Sequence, residues 1–148
     1  MNDLKVGQTL VLKIRYNNLG DTAATAHPYL IVDIDSELGV VEIAQLDSLA
    51  GKEYKAAFRS NKVIYCDNPK ETVIDKDSYI QLDNKFMLEN CPDLSRFRRQ
   101  TDQLSPEKLE DVLRAYRSYH RAHHIDENKN VYMNKEEILS LNRTRGVR

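Results

Sequence analysis

The sequence has few of the features that would place a protein in a membrane or in an oxidising compartment. It contains only two cysteines, Cys66 and Cys91, and they form neither a CxxC motif nor a zinc-ligand spacing, which predicts reduced thiols. No apolar run approaches the roughly 20 residues that a membrane-spanning helix needs. The N-terminus also lacks the basic-then-apolar pattern of a secretion signal. We therefore expect a cytoplasmic protein that does not contact membranes.

The chain also lacks an excess of charge of either sign. Its 22 lysines and arginines nearly balance its 23 aspartates and glutamates, so the net charge is −1 at pH 7. Such a balance gives no general attraction to nucleic acid, and any nucleic-acid site has to come from a local basic patch. The apolar fraction of 41% and the length of 148 residues are ordinary for a globular protein with a substantial core.

The first two thirds of the chain carry the patterns of short β-strands. Residues 9–16 alternate between apolar and mixed side chains, which is typical of a half-buried strand. Two apolar runs, residues 29–34 and 40–46, are joined by polar turn-forming residues. Further β patterns follow at residues 62–66 and 72–83. Five or six short strands at these spacings predict a small β-barrel over residues 1–100.

The last third carries helical signals instead. Ser105-Pro106 predicts a helix start, and an apolar stripe follows at helical spacing until about His124. A second, shorter helix is predicted to start at Asn134, with Glu137 completing a capping box. We therefore expect an α+β protein in which residues 101–148 form a helical extension packed on the barrel.

The two central strands have polar groups at their ends. His27-Pro28 enters the first strand, and Asp47-Ser48 leaves the second. In an antiparallel pair the entry of one strand lies near the exit of the next, so these residues are predicted to face each other across one sheet edge. An imidazole beside a carboxylate or hydroxyl can carry out general acid–base catalysis near neutral pH.

The ordered set of motifs resembles the MazF/PemK family of toxin endoribonucleases. The resemblance rests on a first strand after Val6-Gly7-Gln8, then HPYLIV, then a strand ending AQLDS. It continues with DSYIQLDN, the Leu94-Ser95-Arg96 region and the helix QLSPEKLEDVL, and it covers residues 5–119. The resemblance implies a small SH3-like barrel, a homodimer, a cognate antitoxin and single-stranded RNA, not DNA, as the substrate.

The resemblance also implies a reaction that needs no metal or cofactor. A base takes the proton of a ribose 2′-OH, the oxygen attacks the adjacent phosphate, and an acid protonates the leaving 5′-oxygen. His27 stands at the position of the family's arginine, and Asp47 or Ser48 stands at that of its threonine or serine. The exchange of arginine for histidine leaves three alternatives open: catalysis by His27, a cation supplied by Arg15 or Arg59, or a non-catalytic barrel that binds RNA or a protein.

Basic and aromatic residues flank the predicted barrel strands. We expect a groove for single-stranded RNA because aromatic rings stack on bases and cations follow the phosphate backbone. A solvated charged face is the alternative. The candidate RNA-binding residues are Arg15, Tyr16, Lys52, Lys55 and Arg59.

Two segments near the C-terminus have spacings that metal sites use. His120, His123 and His124 fall at i, i+3 and i+4 of the predicted helix, a spacing that also suits the dipole of a helix end. Asp126–Glu137 matches the ligand positions of a calcium loop, but Val131 stands where that loop needs glycine. The alternative for this second segment is a polar turn in which Asn134 caps the next helix.

Overall fold

The computed structural model describes residues 2–143 and shows an α+β fold. Within these residues, no helix has the length and apolar character needed to cross a membrane. Its seven strands and two α-helices are, in chain order, β1 (Thr9–Leu12), β2 (His27–Asp35), β3 (Val40–Ser48), β4 (Asn61–Ile64), β5 (Ser78–Gln81), β6 (Lys85–Glu89), α1 (Pro106–Ala122), β7 (Asn130–Met133) and α2 (Lys135–Leu141). Three short 3-10 helices lie between them at Glu53–Ala57, Pro92–Phe97 and Glu127–Lys129.

Strand β3 is shared by two sets of strands. Its first half pairs with β2 on one side and β6 on the other, whereas its last three residues pair with β5. The hydrogen-bonded path runs β1–β2–β3–β5–β4, with β6 and β7 branching from it, and all pairings are antiparallel except β6 with β7. Across residues 2–143 the path does not close on itself, so the closed barrel predicted from the sequence is not confirmed.

Strands β2 and β3 are buried on both faces, which explains their continuous apolar sequences. Because neighbouring side chains of a strand point to opposite faces, Tyr29 and Ile31 enter one core while Leu30 and Val32 enter another. The first core also holds residues of β1, β6, β7 and α2. The second core holds residues of β4, β5 and α1. The central strand pair therefore separates two cores and supports both.

Helix α1 agrees closely with the sequence prediction. It begins at Pro106, after Ser105 in the N-cap position, and ends at Ala122. Ser105 occupies the predicted N-cap position, but its side chain makes no capping hydrogen bond. The predicted apolar stripe is confirmed, since Val112 and Tyr116 are buried in the second core and neighbouring stripe residues pack against it.

The segment after α1 contains a strand that the sequence analysis did not predict. Strand β7 pairs in parallel with β6 and places Val131 and Met133 in the first core. Residues 101–143 therefore contribute a strand to the sheet as well as two helices. The alternation spans only four residues, which is too short to stand out from the polar residues around it.

Helix α2 begins at the predicted N-cap, Asn134, but the capping box is incomplete because the Glu137 carboxylate pairs with Arg15. The side chain of Asn134 accepts a hydrogen bond from the backbone N–H of Glu137, and the helix runs to Leu141. Ile138 is fully buried in the first core. Beyond the helix, the Asn142 side chain bonds both backbone groups of Lys13, which ties this end of the chain to the segment after β1.

Candidate functional site

The candidate site lies where β2 begins and β3 ends. The register of the pair includes Tyr29 opposite Gln45. The β2–β3 pairing ends at these two residues, and extending the register by two positions would set His27 opposite Asp47. His27 is half-buried, and alternation puts its side chain on the same face as that of Tyr29. The predicted juxtaposition of His27 with the end of β3 therefore agrees with the strand register.

The structure separates Asp47 from Ser48, which the sequence analysis treated as alternatives. Leu46 enters the second core, so Ser48 follows it on that face while Asp47 points to the other. The Ser48 hydroxyl accepts a hydrogen bond from the backbone N–H of Ala50, as in a local turn. Asp47, and not Ser48, shares a face with His27.

The Asp47 carboxylate has two polar neighbours on its own face. It accepts a hydrogen bond of 3.0 Å from the Gln45 amide and a long one of 3.5 Å from the Tyr79 hydroxyl. Tyr79 is positioned by direct pairing of its backbone with Asp47 across β3 and β5. Burial, followed by the negative charge of Asp47, raises the pKa of Tyr29 above its ordinary value. Asp47 is therefore a carboxylate oriented by neighbouring side chains.

A basic and aromatic surface adjoins this face. The 3-10 helix Glu53–Ala57 holds the Lys55 ammonium 5.9 Å from the centre of the Tyr79 ring, a cation–π arrangement. The rings of Tyr54 and Phe58 are 64% and 49% exposed and meet edge to face with centroids 6.0 Å apart. Lys52 is half-buried and Arg59 is exposed. We call residues 52–59 the aromatic surface.

Of the other two predicted RNA-binding residues, Arg15 lies next to α2. The Arg15 guanidinium forms an ion pair with Glu137 at 2.6 Å, and it also donates to the Asn18 side chain and the Tyr132 carbonyl. Any contact of Arg15 with RNA would have to compete with these bonds. Tyr16 is 44% exposed. Arg15 thus holds α2 in place, while Lys55 packs on β5.

A small cavity on the Ser48 face contains an arginine that the sequence analysis did not assign to the site. It measures about 140 Å³ and is lined by Ser48, Ser78, Lys76 and Arg99 among others, and Asp47 also borders it. The backbone N–H of Arg99 bonds to Thr9 in β1, which explains how a residue distant in sequence reaches β3. The signal in the sequence was the basic run at residues 96–99 (RFRR). A run of basic residues alone does not predict which strand it contacts.

The two metal-site alternatives are not supported by the geometry. Among residues 2–143, no group of three or more histidine, cysteine, aspartate or glutamate side chains is arranged to hold a metal ion. In the Asp126–Glu137 segment, Val131 is a buried strand residue and Glu137 is paired with Arg15. Asn134 caps α2 instead. The alternative is right about the Asn134 cap, but the segment is not a simple polar turn because it contains strand β7.

A second group of polar side chains connects α1 to β3. The Tyr116 hydroxyl donates to the Glu42 carboxylate, and the His120 ring lies 4.1 Å from the Tyr116 ring. Burial, and then Glu42, raises the pKa of Tyr116 above its ordinary value. Burial lowers the pKa of His120. This cluster lies on the opposite face of β3 from Asp47.

Comparison with known proteins does not place the chain in a family. No protein-family model matches it, and no curated protein matches it either. The resemblance to the MazF/PemK family therefore remains a prediction from the motifs.

Proposed function

We propose that this protein is a growth-inhibiting, metal-independent endoribonuclease that cleaves single-stranded RNA in the cytoplasm. The observation that carries the proposal is the β2–β3 register, which pairs Tyr29 with Gln45 and, extended by two residues, would set His27 opposite Asp47 on one face. This pairs an imidazole, which can exchange a proton near neutral pH, with a carboxylate that Gln45 and Tyr79 orient. The MazF/PemK resemblance supplies the reaction type.

In the proposed mechanism the Asp47 carboxylate takes the proton of a ribose 2′-OH. The 2′-oxygen attacks the adjacent phosphorus, the bond from phosphorus to the 5′-oxygen breaks, and protonated His27 gives its proton to that leaving oxygen. The products are a 2′,3′-cyclic phosphate and a 5′-hydroxyl end. Proton exchange with water restores both side chains. Lys55, beside Tyr79, offsets negative charge on the phosphate.

The aromatic surface provides a path for the RNA strand. Tyr54 and Phe58 present exposed rings, and base–aromatic stacking contributes about 1–3 kcal/mol per base. Lys52, Lys55 and Arg59 are the cations available beside these rings. With a net charge of −1, the chain should bind RNA with modest affinity that falls as salt rises.

The remaining expectations of the resemblance belong to the same proposal. They are an SH3-like arrangement of the strands, a homodimer, and neutralisation by a cognate antitoxin protein. Two sheets usually meet at a corner through one strand that pairs with both of them. Strand β3 has such a position, because it pairs with β6 in its first half and with β5 at its end. Neither membrane nor DNA has a role in the proposal.

The test is cleavage of a synthetic single-stranded RNA by purified protein in excess EDTA. Asp47→Asn and His27→Gln should each lower the cleavage rate by about 10²–10⁴-fold. Ser48→Ala is the matched control, because it alters the neighbouring residue on the opposite face, and it should retain the rate within about threefold. Loss of activity in Ser48→Ala together with full activity in Asp47→Asn would show that catalysis takes place on the Ser48 face of β3 and not on the Asp47 face.

A non-catalytic RNA-binding module is the second candidate. It is favoured by the aromatic surface, whose exposed rings do not depend on His27 or Asp47 to bind a base. Fluorescence anisotropy with the same RNA separates the two candidates. Binding that is weakened at least fivefold by Phe58→Ala, without any cleavage by wild-type protein, would favour the binding module over the enzyme.

A further inference from the structure

A second cavity, of about 400 Å³, opens where the end of α1 meets the first residues of β6 and β7. It lies on the side of the sheet that faces α1, because Phe86 enters the first core and its neighbour Lys85 points the other way. The ionisable residues that line this cavity are all basic: Lys85, His120, Arg121, His123 and His124. Within the described residues, 2–143, no carboxylate lines it.

The dipole of α1 does not account for this composition. Basic residues are favoured at a helix C-terminus, and that would explain Arg121 and the histidines. It does not explain Lys85, which is supplied by β6. Among residues 2–143, neither Lys85 nor Arg121 takes part in an ion pair.

Two acidic groups, Asp83 and Glu42, already have partners of their own. Asp83 forms an ion pair with Lys129 at 3.1 Å, and the Glu42 carboxylate accepts the Tyr116 hydroxyl. Neither carboxylate forms an ion pair with Lys85 or Arg121, although the charge of Glu42 also acts on His120. In a protein whose net charge is −1, such a local excess of positive charge favours a bound anion.

Two of the imidazoles are held in fixed orientations. One nitrogen of His120, Nε2, lies 2.8 Å from the Leu82 carbonyl oxygen, and His123 Nδ1 lies 3.1 Å from the Tyr119 carbonyl oxygen. Since a carbonyl only accepts, those nitrogens carry the protons. The His123 ring also stacks on Tyr119 at 4.1 Å. In a neutral imidazole the other nitrogen only accepts hydrogen bonds.

We propose that this cavity binds a phosphate group, with Lys85 and Arg121 as the charged contacts and the imidazoles lining the cavity beside them. A lysine ammonium attracts phosphate as a point charge, whereas the planar guanidinium of arginine can donate two parallel hydrogen bonds to phosphate oxygens. Two permanent cations would repel a metal ion from the same place. The proposal does not depend on RNA cleavage, since the cavity and Asp47 lie on opposite faces of the sheet.

The test is isothermal titration calorimetry with inorganic phosphate, with the chemical shifts of His120 followed by NMR in parallel. Wild-type protein should bind phosphate in a saturable way, and the His120 signals should move with the same dissociation constant. Lys85→Gln and Arg121→Gln should each weaken binding at least fivefold. Arg114→Gln is the matched control, because Arg114 lies on the same helix but pairs with Glu110; it should leave binding unchanged.

Competition experiments then identify the source of the phosphate. Displacement of inorganic phosphate by a short RNA with a 5′-phosphate, but not by its 5′-hydroxyl form, indicates a terminal phosphate. Displacement by both indicates the RNA backbone, and displacement by neither indicates a small free anion. The proposal is overturned if wild-type protein shows no saturable binding, or if Lys85→Gln and Arg121→Gln bind as wild type while thermal unfolding shows that they are folded.

Discussion

The bond between Tyr116 and Glu42 offers a direct test of how α1 is attached to the sheet. Tyr116→Phe removes the hydroxyl that donates to the Glu42 carboxylate but keeps the ring that packs against His120. A hydrogen bond to a charged group contributes about 1.5–3 kcal/mol. We therefore expect the free energy of unfolding to fall by about 2 kcal/mol.

The partner substitution and the double variant give the magnitude of the interaction itself. Glu42→Gln keeps an oxygen that can accept from Tyr116 while it removes the charge, so its cost should be smaller, about 1 kcal/mol. The double variant should be less destabilised than the sum of the two single variants by about 1 kcal/mol, which is the coupling energy that a double-mutant cycle reports.

Urea unfolding followed by circular dichroism measures these values, and thermal unfolding checks them. For a domain of this size, 2 kcal/mol corresponds to a melting temperature lowered by about 4–8 °C. A loss below about 0.5 kcal/mol in Tyr116→Phe, or a coupling energy near zero, would refute the conclusion that this bond holds α1 against β3.

Three further predictions follow from other parts of the molecule. Gly7→Ala should cost about 1–3 kcal/mol in urea unfolding, because Gly7 has a φ of +94° and an added Cβ would lie 2.9 Å from the Leu109 side chain. Arg15→Gln should lower the free energy of unfolding by about 1 kcal/mol at low salt and by less at high salt, because solvent and ions screen the partly exposed ion pair of Arg15 with Glu137. An equal loss at both salt concentrations would contradict this. Burial raises the pKa of Tyr29 above its value in the unfolded chain. The buried neutral Tyr29 therefore stabilises the fold fully below about pH 10, where the unfolded tyrosine begins to ionise, and this stabilisation falls as the pH rises further. The free energy of unfolding of Tyr29→Phe should therefore decrease less than that of wild type between pH 8 and pH 11.

The secondary structure was best predicted where local signals were strong. Pro106 and the apolar stripe after it define α1 because proline, helical spacing and burial all act within one element. Asn134 defines the start of α2 for the same reason. The pairing of β7 with β6 depends instead on residues about 45 positions apart along the chain, and no local pattern specifies it.

The strand geometry around the candidate residues was predictable in outline but not in detail. That the start of β2 and the end of β3 lie at the same end of the strand pair follows from two antiparallel strands joined by a tight turn. Which of Asp47 and Ser48 shares the face of His27 depends on the register, and a shift by one residue would exchange them. Arg99 reaches the opposite side of β3 through a backbone bond to Thr9, a contact that nothing local in the sequence determines.

The composition of the first core affects how the protein can fold during its synthesis. That core joins Leu4 to Ile138, and the sheet that covers it gains β7 only when residues 130–133 are present. A ribosome exposes these parts in order, so β6 carries an open edge until residues 130–133 have emerged. Nascent chains stalled before residue 130 should therefore be far more sensitive to protease than chains that include β7 and α2, and an activity that needs the folded sheet arises only once both are present.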